Sequence, residues 1–289
     1  MKNNTLIVTA IASGLSLFSF SSSAALLAEE SFLIGSDPSA GEYEDNVSII
    51  GESPTVPGFT GAWQGGVATA ETGTLDYSDA SGTLQSSGGK IRMGGSDRAG
   101  RQFAQGLDNS SSGTYYLGFL YQQATTLAGY RGFSLYDGSV SSGNRVFNVF
   151  ADSSVSGELD ISNDFTGGAG SAPSSTIDAN VNFFVFEFTM STGSLADSVA
   201  LYKNPDLASG PDAGSLIFSA SGMDVAFDFI GMERFTGSGA SYTNYIDEIR
   251  MSQTYNDVST VPVPESSAYT FFVGMITAVL MTTMRRRKA

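Results

Sequence analysis

The chain of 289 residues contains no cysteine and no histidine. Without cysteine it can form neither disulfides nor a thiolate nucleophile, and without histidine it lacks the commonest general base and metal ligand. Ser-His-Asp triads, Cys-His dyads and histidine-ligated zinc sites are therefore excluded. Two kinds of chemistry remain possible: catalysis by carboxylates, and binding of Ca²⁺ through oxygen ligands.

Basic residues are scarce: 14 Lys and Arg stand against 29 Asp and Glu, for a formal net charge of −15. Lys2 and the run 285–288 hold five of those basic residues, so the rest of the chain is still more acidic. An acidic surface repels phosphate backbones, which argues against nucleic acid as a partner. The charge fits either attraction of cations or plain solubility.

Glycine and aromatic residues are abundant, with 34 Gly, 20 Phe and 12 Tyr. This composition favours strands and turns over long helices. No change in composition divides residues 25–258, so we expect one large domain there, although the length would also allow two.

Alternation with period two marks the clearest strands. In Phe183 to Met190, Phe184, Phe186 and Phe188 share one face, which we assign to a core. Thr114 to Gln122 alternates in the same way. Shorter runs of this type are Gly132 to Tyr136, Arg145 to Phe150, Ser198 to Tyr202, Leu216 to Ser219, Phe227 to Met232 and Tyr245 to Met251. Their spacing predicts an all-β, antiparallel two-sheet sandwich, with the Gly-Ser stretch 167–175 as a flexible loop.

The N-terminal residues have the three-part order of a secretory signal peptide. Lys2 precedes an apolar stretch from Leu6 to Phe20, and small residues follow it up to Ala24. This order predicts a signal helix over residues 1–24, export of the chain and cleavage after Ala24, with Ala25 and Ala28 as alternative cleavage positions.

The C-terminal residues combine an apolar segment with a basic end. Residues 268–284 carry no charge, and Arg285, Arg286, Arg287 and Lys288 follow at once. A helix of 17 residues spans about 25 Å, the short limit for a transmembrane segment. Because basic residues stay in the cytoplasm, residues 285–289 form the inner tail and the domain lies outside.

Pro264-Glu265-Ser266 lies in the linker 259–267 directly before this segment. The motif, the apolar segment and the terminal arginine cluster together resemble the PEP-CTERM sorting signal. The resemblance implies an exosortase-type membrane transpeptidase as partner, transient anchoring in the inner membrane and delivery to the cell envelope or extracellular matrix. Ser266 stands where the second proline of the signal usually stands. An ordinary tail anchor is the alternative.

Short motifs over residues 26–258 resemble laminin-G-like, concanavalin-like domains. They are Phe59 to Trp63, Leu201 to Pro205, Ile246 to Arg250 and Tyr255 to Val258. The resemblance implies a jelly-roll sandwich that is often associated with carbohydrate.

Glu158-Leu159-Asp160 resembles the first half of the carboxylate motif of concanavalin-like glycosidases. Ser162 and Asn163 occupy the two positions where the third carboxylate would stand, and Asp164 comes too late to replace it. Without that acid/base the leaving group receives no proton, so we expect no catalytic site.

Two weaker kinds of site remain. Asp76, Asp79, Asp137 and Asp152 lie near predicted turns, where they either ligate Ca²⁺ or bond nearby backbone groups. No dense calcium loop is present, so no cofactor is expected. Aromatic residues that could stack on sugars, or else fill the core, are Trp63, Tyr115, Tyr116, Tyr121, Tyr130 and Tyr136.

The sequence therefore predicts an exported, non-enzymatic envelope or matrix protein, with exopolysaccharide as its candidate ligand. A polysaccharide-active enzyme with an atypical site and a structural surface protein without a ligand are the alternatives.

Overall fold

The computed structural model describes residues 26–260, apart from 85, 87, 94–96, 124–129, 152–158, 166–168, 172–174, 194 and 236–242. The described residues up to Ser259 belong to one compact unit. The signal peptide, the sorting motif, the apolar segment and the basic tail lie outside the described residues. In the part of the chain that is described, no helix is long and apolar enough to cross a membrane.

Nearly all regular structure is β. The strands are β1 (Ala28–Glu30), β2 (Phe59–Gly65), β3 (Ala68–Glu71), β4 (Tyr77–Ser78), β5 (Thr83–Leu84), β6 (Lys90–Met93), β7 (Asp97–Leu107), β8 (Gly113–Gln123), β9 (Tyr130–Tyr136), β10 (Arg145–Ala151), β11 (Leu159–Asn163), β12 (Ala169–Ser171), β13 (Asn182–Met190), β14 (Asp197–Lys203), β15 (Leu216–Met223), β16 (Phe227–Phe235) and β17 (Asn244–Ser252). A 3₁₀ turn covers Pro38–Ala40, and helix α1 covers Tyr255–Ser259.

These strands form two large antiparallel sheets. The larger has the order β12-β15-β14-β13-β8-β17-β6-β3, with β1 also pairing with β17, and the smaller has the order β11-β10-β9-β16-β7-β2. Strands β4 and β5 form a separate hairpin. The prediction of an all-β, two-sheet sandwich is thus confirmed, and each predicted run lies within an observed strand.

Phenylalanine rings join the sheets across the core. Phe119 of β8 meets Phe133 of β9 edge to face at 4.5 Å between ring centroids, and Phe186 of β13 meets Phe147 of β10 at 5.2 Å. All four rings are at most 1% exposed. Edge-to-face pairs add about 0.5–1.5 kcal/mol each to the area they bury, so these contacts set the central strands against each other.

Part of the outer face of the larger sheet is covered as well. Phe183 of β13 is fully buried there, with Tyr77 of the β4–β5 hairpin 5.8 Å from its ring. Val258 of α1 packs close to Gly118 on β8. The first half of β13 therefore has buried residues on both faces, whereas the alternation had indicated a single core face. Farther along β13 and on β15 the outer face is open, because Thr189, Ser219 and Ser221 are exposed.

The prediction of a flexible loop over 167–175 is wrong for the middle of that stretch. Residues Ala169–Ser171 form an edge strand, in which Gly170 pairs with Ala220 of β15. Small residues allow this segment to lie close to its neighbour, and composition alone reads the same residues as a linker.

Candidate functional site

The open part of the larger sheet carries a shallow pocket with a volume of about 320 Å³. Three neighbouring strands, β13, β14 and β15, build it, mostly with outward-facing residues, whereas Val199 and Ala220 of the lining belong to the core. The lining residues are Glu187, Thr189, Ser198, Val199, Ala200, Ser219, Ala220 and Ser221.

Strand register explains why a depression forms at this place. Glu187 pairs with Ala200, which pairs in turn with Ser219. One step along the same face, Thr189 pairs with Ser198. Because residues two apart on a strand share a face, a large side chain on β13 stands beside small ones on β14 and β15. The floor is therefore low and rich in hydroxyl groups.

Tyrosine side chains flank Glu187 on both sides. Tyr116 of β8 is its direct cross-strand partner, and Tyr202 of β14 lies two residues from Ala200 on the same face. Tyr255 of α1 meets Tyr116 edge to face, with ring centroids 6.0 Å apart. All three rings are half-buried, so each keeps part of its surface accessible to solvent.

Glu187 influences both of the neighbouring phenols. Burial, followed by the charge of Glu187, raises the pKa of Tyr202 to about 12. The same two causes raise the pKa of Tyr116 above its ordinary value. Both tyrosines therefore stay protonated at neutral pH, and their hydroxyl groups remain hydrogen-bond donors.

The pocket offers binding groups in a compact set. A carboxylate accepts hydrogen bonds, the Ser and Thr hydroxyls both donate and accept, and the tyrosines add ring faces and edges. Among the described residues of its lining, Glu187 is the carboxylate.

Most of the aromatic residues that the sequence offered either for sugar stacking or for the core lie in the interior. Trp63, Tyr115, Tyr121 and Tyr136 are at most 6% exposed, so of the two alternatives these four fill the core. Trp63 donates from Nε1 to Tyr43 Oη over 2.9 Å. The structure does not describe the side chain of Tyr130. Of the six aromatic residues, Tyr116 is the one that is described beside the pocket.

The candidate glycosidase motif is only partly described. Glu158 lies outside the described residues, while Asp160 is exposed on β11 opposite Phe150. Ser162 and Asn163 follow on the same strand, and Ser162 Oγ is 3.5 Å from the carboxylate of Asp164. Asp160 thus lies on the edge strand of the smaller sheet and not in the pocket.

Two of the aspartates considered for Ca²⁺ accept hydrogen bonds from backbone amides. Asp79 accepts from the amides of Ser81, Gly82 and Leu207, and Asp76 accepts from the amide of Ser86. Asp137 lies in the β9–β10 turn, and Asp152 is outside the described residues. The part of the chain that is described holds no group of three or more acidic residues suited to a metal ion.

Sequence reasoning missed Glu187 and Tyr202 as site residues. The available signal was the position of Glu187 on the non-core face of a phenylalanine-rich strand.

The sorting and membrane-stop assignments stay predictions, because their residues lie outside the described part of the chain. These residues are Pro264, Glu265, Ser266, Arg285, Arg286, Arg287 and Lys288.

Two other carboxylates of the sheets, Glu233 and Asp247, are buried among hydrogen-bond donors. Glu233 of β16 accepts from Tyr136 Oη at 2.6 Å and from Arg145 Nη1 at 3.1 Å. Asp247 of β17 accepts from the Leu75 amide and from Ser86 Oγ. Both acids have 0% exposure, which distinguishes them from the half-buried Glu187.

Comparisons with known proteins find similarity among solved structures. No family model and no curated protein matches the chain. A carbohydrate esterase of the Shiga toxin-encoding bacteriophage phi24B is 14% identical, with 79% of this chain and 98% of that chain covered and a TM-score of 0.39. The receptor binding domain of botulinum neurotoxin D is 11% identical, with 67% and 46% covered and a TM-score of 0.38. Botulinum neurotoxin type C, whose cell entry depends on two ganglioside molecules, is 11% identical, with 74% and 50% covered and a TM-score of 0.38. The chain thus spans about half the length of these neurotoxin structures.

Proposed function

We propose that the chain is an exported protein of the cell envelope or extracellular matrix whose jelly-roll sandwich binds exopolysaccharide through the Glu187 pocket. In this account an exosortase-type transpeptidase processes the C-terminal tail. The observation that carries the binding proposal is the combination, on one open sheet face, of Glu187, Tyr116 and Tyr202 with a hydroxyl-lined floor.

The pocket suits a sugar ring by size and chemistry. Its volume of about 320 Å³ lies at the lower end of the range of about 300–1,000 Å³ typical of small-molecule sites. Sugar hydroxyls both donate and accept hydrogen bonds, as do the serine and threonine groups of the floor. The half-buried tyrosines supply apolar area for the C–H face of the ring.

The charge of the site favours neutral glycans. Glu187 is the carboxylate of the lining, and the protein carries a formal net charge of −15. A uronic acid or sulfated sugar would meet like charge both at long range and in the pocket. We therefore expect neutral polysaccharide to bind more tightly than acidic polysaccharide.

Export and processing rest on the terminal segments of the sequence. The signal order of residues 1–24 and the apolar segment 268–284 with its basic flank demand the same orientation, with the sandwich outside. Matrix polysaccharide would then be within reach of the open sheet face.

A glycan array probed with the purified protein and with Glu187→Gln tests the binding function. We expect the protein to bind neutral glycans and Glu187→Gln to bind them less tightly, because the amide is a weaker acceptor than the carboxylate. Failure of the protein to bind any glycan would leave the structural surface protein as the better account.

Product release separates a binding module from an enzyme. Incubation with β-glucans, agars, carrageenans and alginate should release no oligosaccharide. Turnover that disappears in both Glu158→Gln and Asp160→Asn would instead establish catalysis by the incomplete motif.

A further inference from the structure

The Glu187 pocket belongs to a longer groove that crosses four strands of the larger sheet. One side of this groove is a line of short hydroxyl side chains, one from each strand, which we call the hydroxyl row. Each member is the direct cross-strand partner of the next. In order, the members are Ser221 of β15, Ser198 of β14, Thr189 of β13 and Thr114 of β8. The first three line the pocket, and Thr114 extends the row by one strand.

Longer side chains stand beside the hydroxyl row on β13 and β8. Glu187 and its cross-strand partner Tyr116 are each two residues from a member of the row. Because residues two apart on a strand share a face, these two side chains run parallel to the row and form the high side of the groove. On β14 and β15 the corresponding positions hold Ala200 and Ser219, so the floor is wider there.

The hydroxyl row is open at both ends within the described part of the chain. At one end Ser221 is exposed, and it lies beside the edge strand β12. At the other end β17 stops at Ser252, which pairs with Tyr116, one row short of Thr114. A long ligand can therefore lie along the row and extend past it in either direction.

The hydroxyl groups of the row are free to bind a ligand. None of the four forms a side-chain hydrogen bond with a described residue. Serines in the loops behave differently, since Ser209 Oγ donates to Asp206 and Ser215 Oγ donates to Asp212. A hydroxyl group both donates and accepts, so the row complements the hydroxyl groups of sugars.

The length of the row fits several sugar units. Neighbouring strands lie about 4.8 Å apart, so the row extends over about 14 Å from β15 to β8. One strand spacing is close to the length of one pyranose unit in an extended chain. Successive sugar units that run across the strands would therefore each meet one hydroxyl side chain.

We propose that this groove binds an internal stretch of an extended, linear polysaccharide, with the chain running across the strands along the hydroxyl row. The inference rests on the proposed glycan-binding function and names its substrate class. A site for a chain end needs a wall behind the terminal sugar, whereas the described ends of the row carry none. Glu187 and Tyr116 leave little room for a branch on their side, so unbranched chains should bind best.

Calorimetric titration with oligosaccharides of increasing length tests the groove. The probes are cello-oligosaccharides and laminari-oligosaccharides of one to six glucose units, and the same size series hydrolysed from the neutral polysaccharide that the glycan array selects. We expect the affinity to rise at least tenfold from one unit to four and then to level off, because the row holds about three or four units. For long chains, the amount of protein bound per mass of polysaccharide should not depend on chain length.

A variant at the end of the row provides a second measurement. Ser221→Ile removes a hydroxyl group and adds bulk at an exposed strand position, and it should weaken binding of the four-unit oligosaccharide at least fivefold. Thr60→Ile is the matched control, because Thr60 is an exposed hydroxyl residue on β2 of the smaller sheet. It should bind like the unaltered protein. The length series uses the unaltered protein, so it decides the matter even if Ser221→Ile does not fold.

Two results would overturn the groove and leave recognition of a single sugar or a chain end. One is equal affinity for one unit and four units, and the other is binding per mass that falls as the chains lengthen. Unchanged affinity in Ser221→Ile would also contradict it. Absence of binding to every glycan would instead refute the proposed function, and the groove with it.

Discussion

Glu30 and Arg101 form a buried ion pair that joins the two sheets. Glu30 Oε2 lies 2.7 Å from Arg101 Nη1, and each residue is 1% exposed. Glu30 belongs to β1 of the larger sheet and Arg101 to β7 of the smaller one. Tyr43 Oη donates to the same carboxylate oxygen over 2.7 Å, so the pair sits in a hydrogen-bonded network.

Arg101→Met should destabilise the protein by about 3–5 kcal/mol, because it leaves Glu30 buried without its countercharge. Arg92→Met is the matched control, since Arg92 pairs with Glu71 at the surface with side-chain exposures of 38% and 19%. That exposed pair should contribute less than about 1 kcal/mol. Urea unfolding gives both free energies, and equal losses in the two variants would contradict a stabilising role of the buried network.

The ionisation of Asp247 should make the stability of the protein depend on pH. Burial, followed by the charge of Glu248, raises the pKa of Asp247 well above 3.8. The folded state therefore holds this proton over a range where the unfolded state has lost it. The contribution of this proton to the free energy of unfolding is fully present below about pH 4, the ordinary Asp pKa. It is lost as the pH rises through the raised pKa of the folded state.

Melting temperatures between pH 4 and pH 8 test this prediction by comparing the protein with Asp247→Asn. The variant cannot ionise, so we expect it to lack this decline while the unaltered protein shows it. Parallel pH curves for the two proteins would mean that Asp247 ionises in the fold as it does in the unfolded chain.

Phe186→Ala should cost about 3–5 kcal/mol, the range for removing a fully buried phenylalanine. Phe186 has 0% exposure and stacks on Phe188 at 5.4 Å. Thr189→Ala on the same strand is the control, because Thr189 is exposed and should cost no more than about 0.5 kcal/mol. A loss below about 1 kcal/mol at Phe186 would conflict with its place at the centre of the core.

Strong alternation made the central strands predictable. In β13, large apolar residues recur at every second position, so both its existence and its inward face follow from the sequence. Strand β7 was missed because its inward positions include Ala99 and Arg101. In a periodic pattern an arginine indicates a surface position, but here Glu30, 71 residues away in the chain, supplies the countercharge, and Tyr43 and Pro54 accept further hydrogen bonds from Arg101.

The candidate site could be predicted only in part. Which residues become neighbours in it depends on the pairing register between strands that are distant in the chain. Tyr116 and Glu187 lie on strands far apart in the chain and become direct neighbours through the pairing of β8 with β13. The small residues beside Glu187 come from β14 and β15 through a bulge-containing register. No local pattern encodes which residues of separate strands stand opposite each other.

Processing of the C-terminal tail should leave a mature protein that runs from near Ala25 to near Glu265. Each of Arg285, Arg286, Arg287 and Lys288 would cost about 2.5–3.5 kcal/mol at the membrane centre, so together they should stop export and keep Glu265 near the outer face of the inner membrane. Intact-mass analysis of the native protein measures the ends. Glu265→Ala and a variant without the four basic residues should change processing, and residues 268–289 retained on surface-delivered protein would remove the sorting assignment.

The most direct test of the binding function is the affinity of the Tyr202→Ala variant for a neutral polysaccharide selected by the array. Tyr245→Ala is the matched control, because Tyr245 faces outward on β17, pairs with Gln122 and contacts Lys90 with 4.6 Å from Nζ to the ring centroid. We expect Tyr202→Ala to weaken binding at least tenfold, or about 1.4 kcal/mol, with Tyr245→Ala unchanged. Equal affinity of the two variants and the unaltered protein would contradict glycan recognition by the Glu187 pocket.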